Sequence, residues 1–124
     1  MSTHTENKTL RESAALTGAA GTTYSSALRV EKYEELTLFL YQTAQGGWTD
    51  EYLDVSVQTK DPDGNWHDLA GATFTQIGNN TAAVPYGEDI GIIVFGAYIR
   101  LKYVTQGTTP DFTFQITGIG KGNF

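Results

Sequence analysis

The 124-residue chain contains no cysteine, only three prolines and one methionine, and no long uninterrupted apolar segment. Without cysteine, neither a disulfide framework nor a thiolate metal site can form, so packing and backbone pairing must stabilise the fold. The longest apolar stretch, near residues 90–94, is interrupted by glycine and followed by Arg100 and Lys102, which makes it too short and too charged to span a bilayer. Residues 1–7 are polar and lack the apolar centre of a signal peptide, so we expect a soluble protein without a membrane partner.

Positive charge is also scarce. Eight lysines and arginines stand against fourteen aspartates and glutamates, which gives a formal net charge of −6. The cations are scattered along the chain, and a surface of net negative charge repels phosphate backbones, so we expect no nucleic-acid partner. Hydrophobic residues make up 40% of the chain and aromatic residues 12%, a composition that is typical of a folded globular protein.

Helical periodicity is absent after residue 27, and alternation of apolar and polar residues takes its place. The clearest case is residues 51–60, where Leu53, Val55 and Val57 alternate with polar side chains. Such a period of two builds a strand with one buried and one solvated face. The pattern recurs to the end of the chain at the spacing of about 8–12 residues that is typical of sandwiches. We therefore predict an all-β fold, an antiparallel β-sandwich or jelly roll of about eight strands with an extended N-terminal arm.

The first 26 residues differ from the rest because Thr, Ser, Ala and Gly dominate them. We therefore divide the chain into an N-terminal arm or tail at residues 1–26 and a β-sandwich domain at residues 27–124. A short helix over residues 10–16 would be marginal alone. Two interpretations stay open, a mobile tail and an arm that orders against a neighbouring subunit. Composition favours the tail, so deletion of residues 1–20 is expected to leave the melting temperature nearly unchanged.

Glycine interrupts the alternation near the C-terminus. Residues 86–91 contain two acids and two glycines, and we interpret them as a loop between strands. Residues 118–122 read Gly-Ile-Gly-Lys-Gly, which superficially resembles a phosphate-binding loop but has no helix after it. This second segment is interpreted as a flexible terminus.

Residues with catalytic or metal-binding chemistry are few. The only histidines are His4 and His67, and no serine lies in a nucleophile-elbow pattern. The fourteen acids include no pair that the sequence distinguishes as a glycosidase site. The segment Asp61-Pro62-Asp63-Gly64-Asn65 has carboxylates for Ca²⁺ but lacks the spaced ligands of a calcium loop, and it is a favourable turn sequence. We predict that the protein is not an enzyme and uses neither a cofactor nor a metal ion.

Aromatic residues provide the candidate interaction surface. Aromatic side chains combine apolar area with polar edges, which suits either a stacking platform for sugar rings or a subunit interface. The predicted surface consists of five residues: Trp48, Tyr52, Trp66, Tyr86 and Tyr98.

An ordered set of segments resembles a known family. The set covers nearly all of the chain after Ala27, and it comprises Leu36–Leu40, Leu53–Gln58, Asp63–Leu69, Phe74–Ile77, Tyr98–Tyr103 and Thr108–Phe114. In this order the segments resemble small structural proteins encoded beside the major capsid gene of tailed bacteriophages, the head decoration or cement type. The resemblance implies a β-sandwich with no catalytic residues, which binds the outer surface of the phage capsid and stabilises it.

The same resemblance implies the partners and the location. The major capsid protein is the expected partner, together with further copies of the chain in a homo-oligomer, for which a trimer fits a threefold lattice position. The expected location is the capsid surface of the virion, after synthesis in the host cytoplasm. Two alternatives stay open, a head-fibre base or tail-associated structural module, and a carbohydrate-binding β-sandwich module.

Overall fold

The computed structural model describes residues 4–46, 49–78 and 84–124. These residues form ten strands: β1 (His4–Thr17), β2 (Gly21–Tyr24), β3 (Leu28–Arg29), β4 (Glu35–Gln45), β5 (Tyr52–Lys60), β6 (Trp66–Thr73), β7 (Ile77–Gly78), β8 (Tyr86–Ile92), β9 (Tyr98–Gln106) and β10 (Asp111–Gly122). In this part of the chain no helix is long and apolar enough to cross a membrane.

The strands form two antiparallel sheets. Sheet A has the order β1-β10-β4-β8, and sheet B has the order β2-β9-β5-β6, with β3 paired to β9 and β7 paired to β5. The chain crosses between the sheets from β1 to β2, β3 to β4, β4 to β5, β7 to β8, β8 to β9 and β9 to β10. Such winding of antiparallel strands around two facing sheets is the jelly-roll arrangement. The structure therefore confirms the predicted fold class.

The core lies between the sheets and follows the alternation in the sequence. On each central strand every second side chain points inward and is almost completely buried, while the side chains between them lie on the outer face, where most are half-buried or exposed. The inward rows are Leu36, Leu38 and Leu40; Leu53, Val55 and Val57; Ile99, Leu101 and Tyr103; and Phe112, Phe114 and Ile116. Burial of these apolar side chains removes them from water, and this is the main driving force for folding.

The N-terminal segment is the largest departure from the sequence predictions. Strand β1 pairs with β10 from His4 opposite Gly122 to Thr17 opposite Asp111, and β2 pairs with β9. The mobile-tail interpretation and the helix over residues 10–16 are therefore wrong. Pairing with β10 and β9 satisfies the backbone hydrogen-bonding groups of this segment, and Leu10 and Leu16 pack against the core. Composition alone gives no sign of either contact. Whether residues 1–26 are a unit apart from residues 27–124 stays a prediction.

Two glycine-containing segments are strands and not loops. In β8 the inward positions lie opposite Leu36, Leu38 and Leu40 of β4. The outward positions are occupied by two glycines and Asp89. Because glycine has no side chain, the alternation is not visible in the sequence. In β10 Gly118, Gly120 and Gly122 are buried and face inward. Because glycine has no side chain, neighbouring residues occupy the space at these positions. A Cβ at Gly120, for example, would lie 2.5 Å from the Tyr33 ring. Segment 118–122 is thus a paired part of sheet A, and the flexible-terminus interpretation is wrong.

Candidate functional site

The outer face of sheet B carries a cluster of cationic and aromatic side chains. Because Leu53, Val55 and Val57 point into the core, the alternate residues of β5 lie on the outer face of sheet B, and the same holds for β9. Register pairs Lys60 of β5 with Trp66 of β6, and Gln58 of β5 with Arg100 of β9. We name the resulting cluster the cation–aromatic face: Tyr24, Lys60, Trp66, Tyr98 and Arg100.

Arg100 contacts two aromatic rings of this face. Its guanidinium carbon Cζ lies 3.9 Å from the centre of the Tyr24 ring and 4.5 Å from the centre of the Trp66 ring. Lys60 Nζ lies 5.8 Å from the Trp66 ring centre and 5.4 Å from that of Tyr98. A cation over an aromatic ring is attracted by the ring quadrupole, so these contacts restrain the arginine and orient the lysine.

A polar network holds the remaining edge of the arginine. Arg100 Nε donates a 2.8 Å hydrogen bond to Gln58 Oε1, and Gln58 Nε2 donates a 2.9 Å bond to Asp68 Oδ1. Lys102 Nζ lies 3.7 Å from the same aspartate oxygen. The Gln58 hydrogen bond, followed by the charge of Lys102, lowers the pKa of Asp68 below its ordinary value. The aspartate is therefore ionised. Its carboxylate accepts the hydrogen bond from Gln58 and lies near Lys102, and it forms no ion pair with Arg100.

Two cations of this face have no carboxylate partner. In the described part of the chain, five lysines and arginines pair with a carboxylate: Lys8, Arg29, Lys32, Lys102 and Lys121. Arg11, Lys60 and Arg100 form no such pair there. Arg11 is half-buried on β1, where its guanidinium lies over the rings of Phe114 and Tyr103 and away from this face. Lys60 and Arg100 thus place two cations, each without a carboxylate within 4 Å among the described residues, on one face of an acidic protein.

Of the five predicted interaction residues, the four that the structure describes do not all come together. Trp66 and Tyr98 belong to the cation–aromatic face, and Tyr52 lies on the same side of β5 but eight residues from Lys60, about 26 Å along the strand. Tyr86 lies in sheet A, packs against the core and donates a 3.2 Å hydrogen bond to Glu88 Oε2. Trp48 lies outside the described residues. That these residues form an interaction surface stays a prediction.

Sequence reasoning missed Tyr24, Lys60 and Arg100 as members of the face. The outward position of Arg100 was visible in the alternation of residues 98–104, but an arginine on a solvated strand face is ordinary. Tyr24 belonged to the segment that was set aside as an arm. Only the pairing of β2 with β9, which places Tyr24 opposite Lys102, brings its ring over Arg100.

The outer face of sheet A has a different character. Phe39 is 36% exposed and Tyr41 is 43% exposed, so two aromatic rings face solvent on the central strand β4. We name the surface around them the threonine–aromatic face: Thr37, Phe39, Tyr41, Thr113, Gln115, Thr117 and Ile119. Asp89 is paired in register with Phe39, and Glu35 and Lys121 approach to 3.7 Å at one end of this face. Its centre otherwise has no charge, which suits contact with another protein surface.

The acidic turn after β5 is a self-contained structural feature. Asp61 Oδ1 accepts hydrogen bonds from the backbone N–H groups of Asp63 and Asn65, each at 2.9 Å, and Oδ2 lies 2.7 Å from His67 Nε2. The His67 contact, followed by these backbone bonds, lowers the pKa of Asp61 to about 2. Both carboxylate oxygens therefore stabilise the turn. Among the described residues, no group of three or more His, Asp or Glu side chains is arranged to hold a metal ion.

The fold resembles that of proteins from virus particles and from a prophage. The VP2 subviral particle of infectious bursal disease virus has a TM-score of 0.70 and 11% identity, with 98% of this chain and 33% of that chain covered. The T13 particle of the same virus has a TM-score of 0.71 and 11% identity, with 98% and 31% covered. This chain thus spans about a third of the length of those viral chains.

A shorter protein matches over nearly its whole length. The SPBc2 prophage-derived protein YomS has a TM-score of 0.52 and 14% identity, and the match covers 98% of this chain and 96% of that chain. No protein-family model matches the sequence, and no curated protein matches it. At these identities the likeness shows the fold, an antiparallel β-sandwich that also occurs in proteins of virus particles.

Proposed function

We propose that the protein is a structural component of a bacteriophage virion, a decoration or cement protein that binds the outer surface of the shell formed by the major capsid protein. The observation that carries the proposal is the jelly-roll likeness, which extends over 96% of a prophage-derived protein and over part of a viral particle protein. Short sequence segments in the same order support it, because they resemble phage head proteins.

The two outer faces support docking as the role. Protein interfaces are rich in aromatic residues and arginine and poor in lysine and acidic residues at their centres. The threonine–aromatic face offers Phe39 and Tyr41, and the cation–aromatic face offers Trp66, Tyr24 and Arg100. A decoration protein that is also a homo-oligomer contacts both its own copies and the shell, and we assign the threonine–aromatic face to a second copy. Because the centre of this face carries almost no charge, two copies of a chain with a net charge of −6 can bring these faces together without strong repulsion.

The proposal is tested by binding to particles. Heads and tails are purified from a phage strain in which the gene for this protein is deleted, and each is mixed with the purified protein and sedimented. The expected result is saturable co-sedimentation with heads, and treated heads that release their DNA at a higher temperature than untreated heads. Binding to tails and not to heads would replace decoration by a tail-associated role. Binding to neither particle would overturn the proposal.

A further inference from the structure

We propose that the cation–aromatic face binds a carboxylate-rich segment of a partner protein, with Arg100 as the anchor. Arginine has five N–H donors in a planar fork that matches a carboxylate. In this structure the Nε–H bonds to Gln58, and the terminal nitrogens donate to no residue in the described part of the chain. The guanidinium is therefore fixed at one edge and on its faces, and its other edge is available for a carboxylate.

Preorganisation makes this arrangement suited to binding. A free arginine side chain loses rotamer freedom when it binds, whereas Arg100 is already held between Tyr24 and Trp66 and by Gln58. Gln58 is itself only 7% exposed, so it provides a rigid support. Lys60 lies beside the arginine as a second cation without a carboxylate partner among the described residues.

The contacts favour a protein segment over a sugar or a nucleic acid. A sugar ring stacks on a free aromatic face, but Arg100 lies over one face of the Tyr24 ring and of the Trp66 ring, and Lys60 lies near the rings of Trp66 and Tyr98. A nucleic acid carries its phosphates along an extended backbone, which would also meet the acidic surface outside this small face, whereas a short carboxylate-rich segment can contact the face alone. Tryptophan, tyrosine and arginine are the residues that most often dominate the energetics of protein interfaces.

The test uses hexaglutamate as the probe and nuclear magnetic resonance as the readout. The peptide is titrated into the ¹⁵N-labelled full chain while the Arg100 Nε–H and Trp66 Nε1–H signals are followed. Saturable shifts of both signals are expected. Arg100→Lys keeps the charge but loses the planar fork, so it should weaken the peptide affinity at least about tenfold, equivalent to about 1.4 kcal/mol.

Two further variants complete the comparison. Lys60→Gln should weaken the affinity about threefold by removal of one charge. Lys121→Gln removes a charge from β10, on the outer face of the other sheet, and should change the affinity less than about twofold. The inference is overturned if Arg100→Lys and Lys60→Gln both bind like the unaltered protein. It is also overturned if maltohexaose shifts the same signals, or if a heparin hexasaccharide binds more tightly than hexaglutamate.

The inference rests on the proposed function only for the identity of the partner, the capsid shell. Co-sedimentation with heads separates the two. If the unaltered protein and Arg100→Lys bind heads equally well, the inference fails and the proposed function stands. If the unaltered protein binds hexaglutamate through Arg100 but does not bind heads, the proposed function fails and the carboxylate site stands.

Discussion

The Tyr33 hydroxyl donates a 2.6 Å hydrogen bond to Glu6 Oε1 and so connects the first strand to the turn between β3 and β4. Lys8 Nζ lies 2.8 Å from the same oxygen, and Lys32 Nζ lies 2.9 Å from Glu6 Oε2. The bonds from Lys8, Tyr33 and Lys32, in that order of importance, lower the pKa of Glu6 to about 2. Through these contacts the ionised carboxylate of Glu6 connects β1 to Lys32 and Tyr33 in the turn before β4.

Acid is expected to loosen this attachment. The folded pKa of Glu6 is about 2 and its ordinary value is 4.5, so its contribution to stability is complete above about pH 4.5 and is lost as the pH falls toward 2. Thermal melting followed from pH 6 to pH 2 should show a falling melting temperature, with Glu6→Gln giving a lower value at pH 6 and a shallower decline. The decline should not vanish, because the pKa of Asp61 is also lowered to about 2. Glu12→Gln is the control, and a Glu6→Gln curve parallel to that of the unaltered protein would contradict the prediction.

Removal of residues 1–17 should destabilise the sandwich. The deletion uncovers the edge of β10 along the register from Asp111 to Gly122 and removes Leu10 and Leu16 from the core. We expect the melting temperature to fall by more than about 10 °C, because a loss of each kcal/mol lowers it by several degrees in a domain of this size. This expectation replaces the one drawn from composition, and circular dichroism decides between them. An unchanged melting temperature would mean that β1 adds nothing to stability.

The glycine at position 120 provides a local test of packing in sheet A. An alanine Cβ there would meet the Tyr33 ring at 2.5–2.8 Å, so the ring must move and its hydrogen bond to Glu6 is strained. Gly120→Ala is expected to lower the free energy of unfolding by about 1–3 kcal/mol. In Gly91→Ala the new methyl meets no atom within 4 Å, and a change below about 0.5 kcal/mol is expected. Urea denaturation measures both, and equal effects would show that the space at Gly120 is not limiting.

The jelly-roll core can be tested by a pair of aliphatic truncations. Leu101 is completely buried between the sheets, whereas Val94, on the connection between β8 and β9, is 75% exposed. Leu101→Ala should lower the free energy of unfolding by about 2–5 kcal/mol through lost transfer energy and a cavity. Val94→Ala should change it by less than about 0.5 kcal/mol. Similar losses in the two variants would contradict the inward assignment of β9.

The threonine–aromatic face predicts how self-association responds to charge. In Phe39→Glu a carboxylate replaces a ring that we assign to the contact between copies, and its desolvation opposes association. The oligomer mass by light scattering should fall toward that of the single chain while the secondary structure is unchanged. Ile93→Glu is the matched control, since Ile93 is 72% exposed but lies outside the face. A monomeric unaltered protein, or an equal response of the two variants, would contradict the assignment to a second copy.

The inward rows of the central strands were predictable because a period of two is a local property of sequence. Leu53, Val55 and Val57 alternate with polar residues, and no partner strand needs to be known to assign them to one face. Alternation did not reveal β8 or the end of β10 as strands. Glycine has no side chain to mark a face, and its burial depends on which neighbour fills the space, as Tyr33 does at Gly120.

The class of the fold and the buried faces of the central strands could be derived from the sequence alone, since both follow from alternation and turn residues that act over a few positions. The three-dimensional fold was needed to show that residues 4–17 complete sheet A, and that Arg100 lies between Tyr24 and Trp66. These contacts join residues far apart in the chain, through strand order and register. Register depends on the free energy of the whole assembled sandwich, which no local pattern contains.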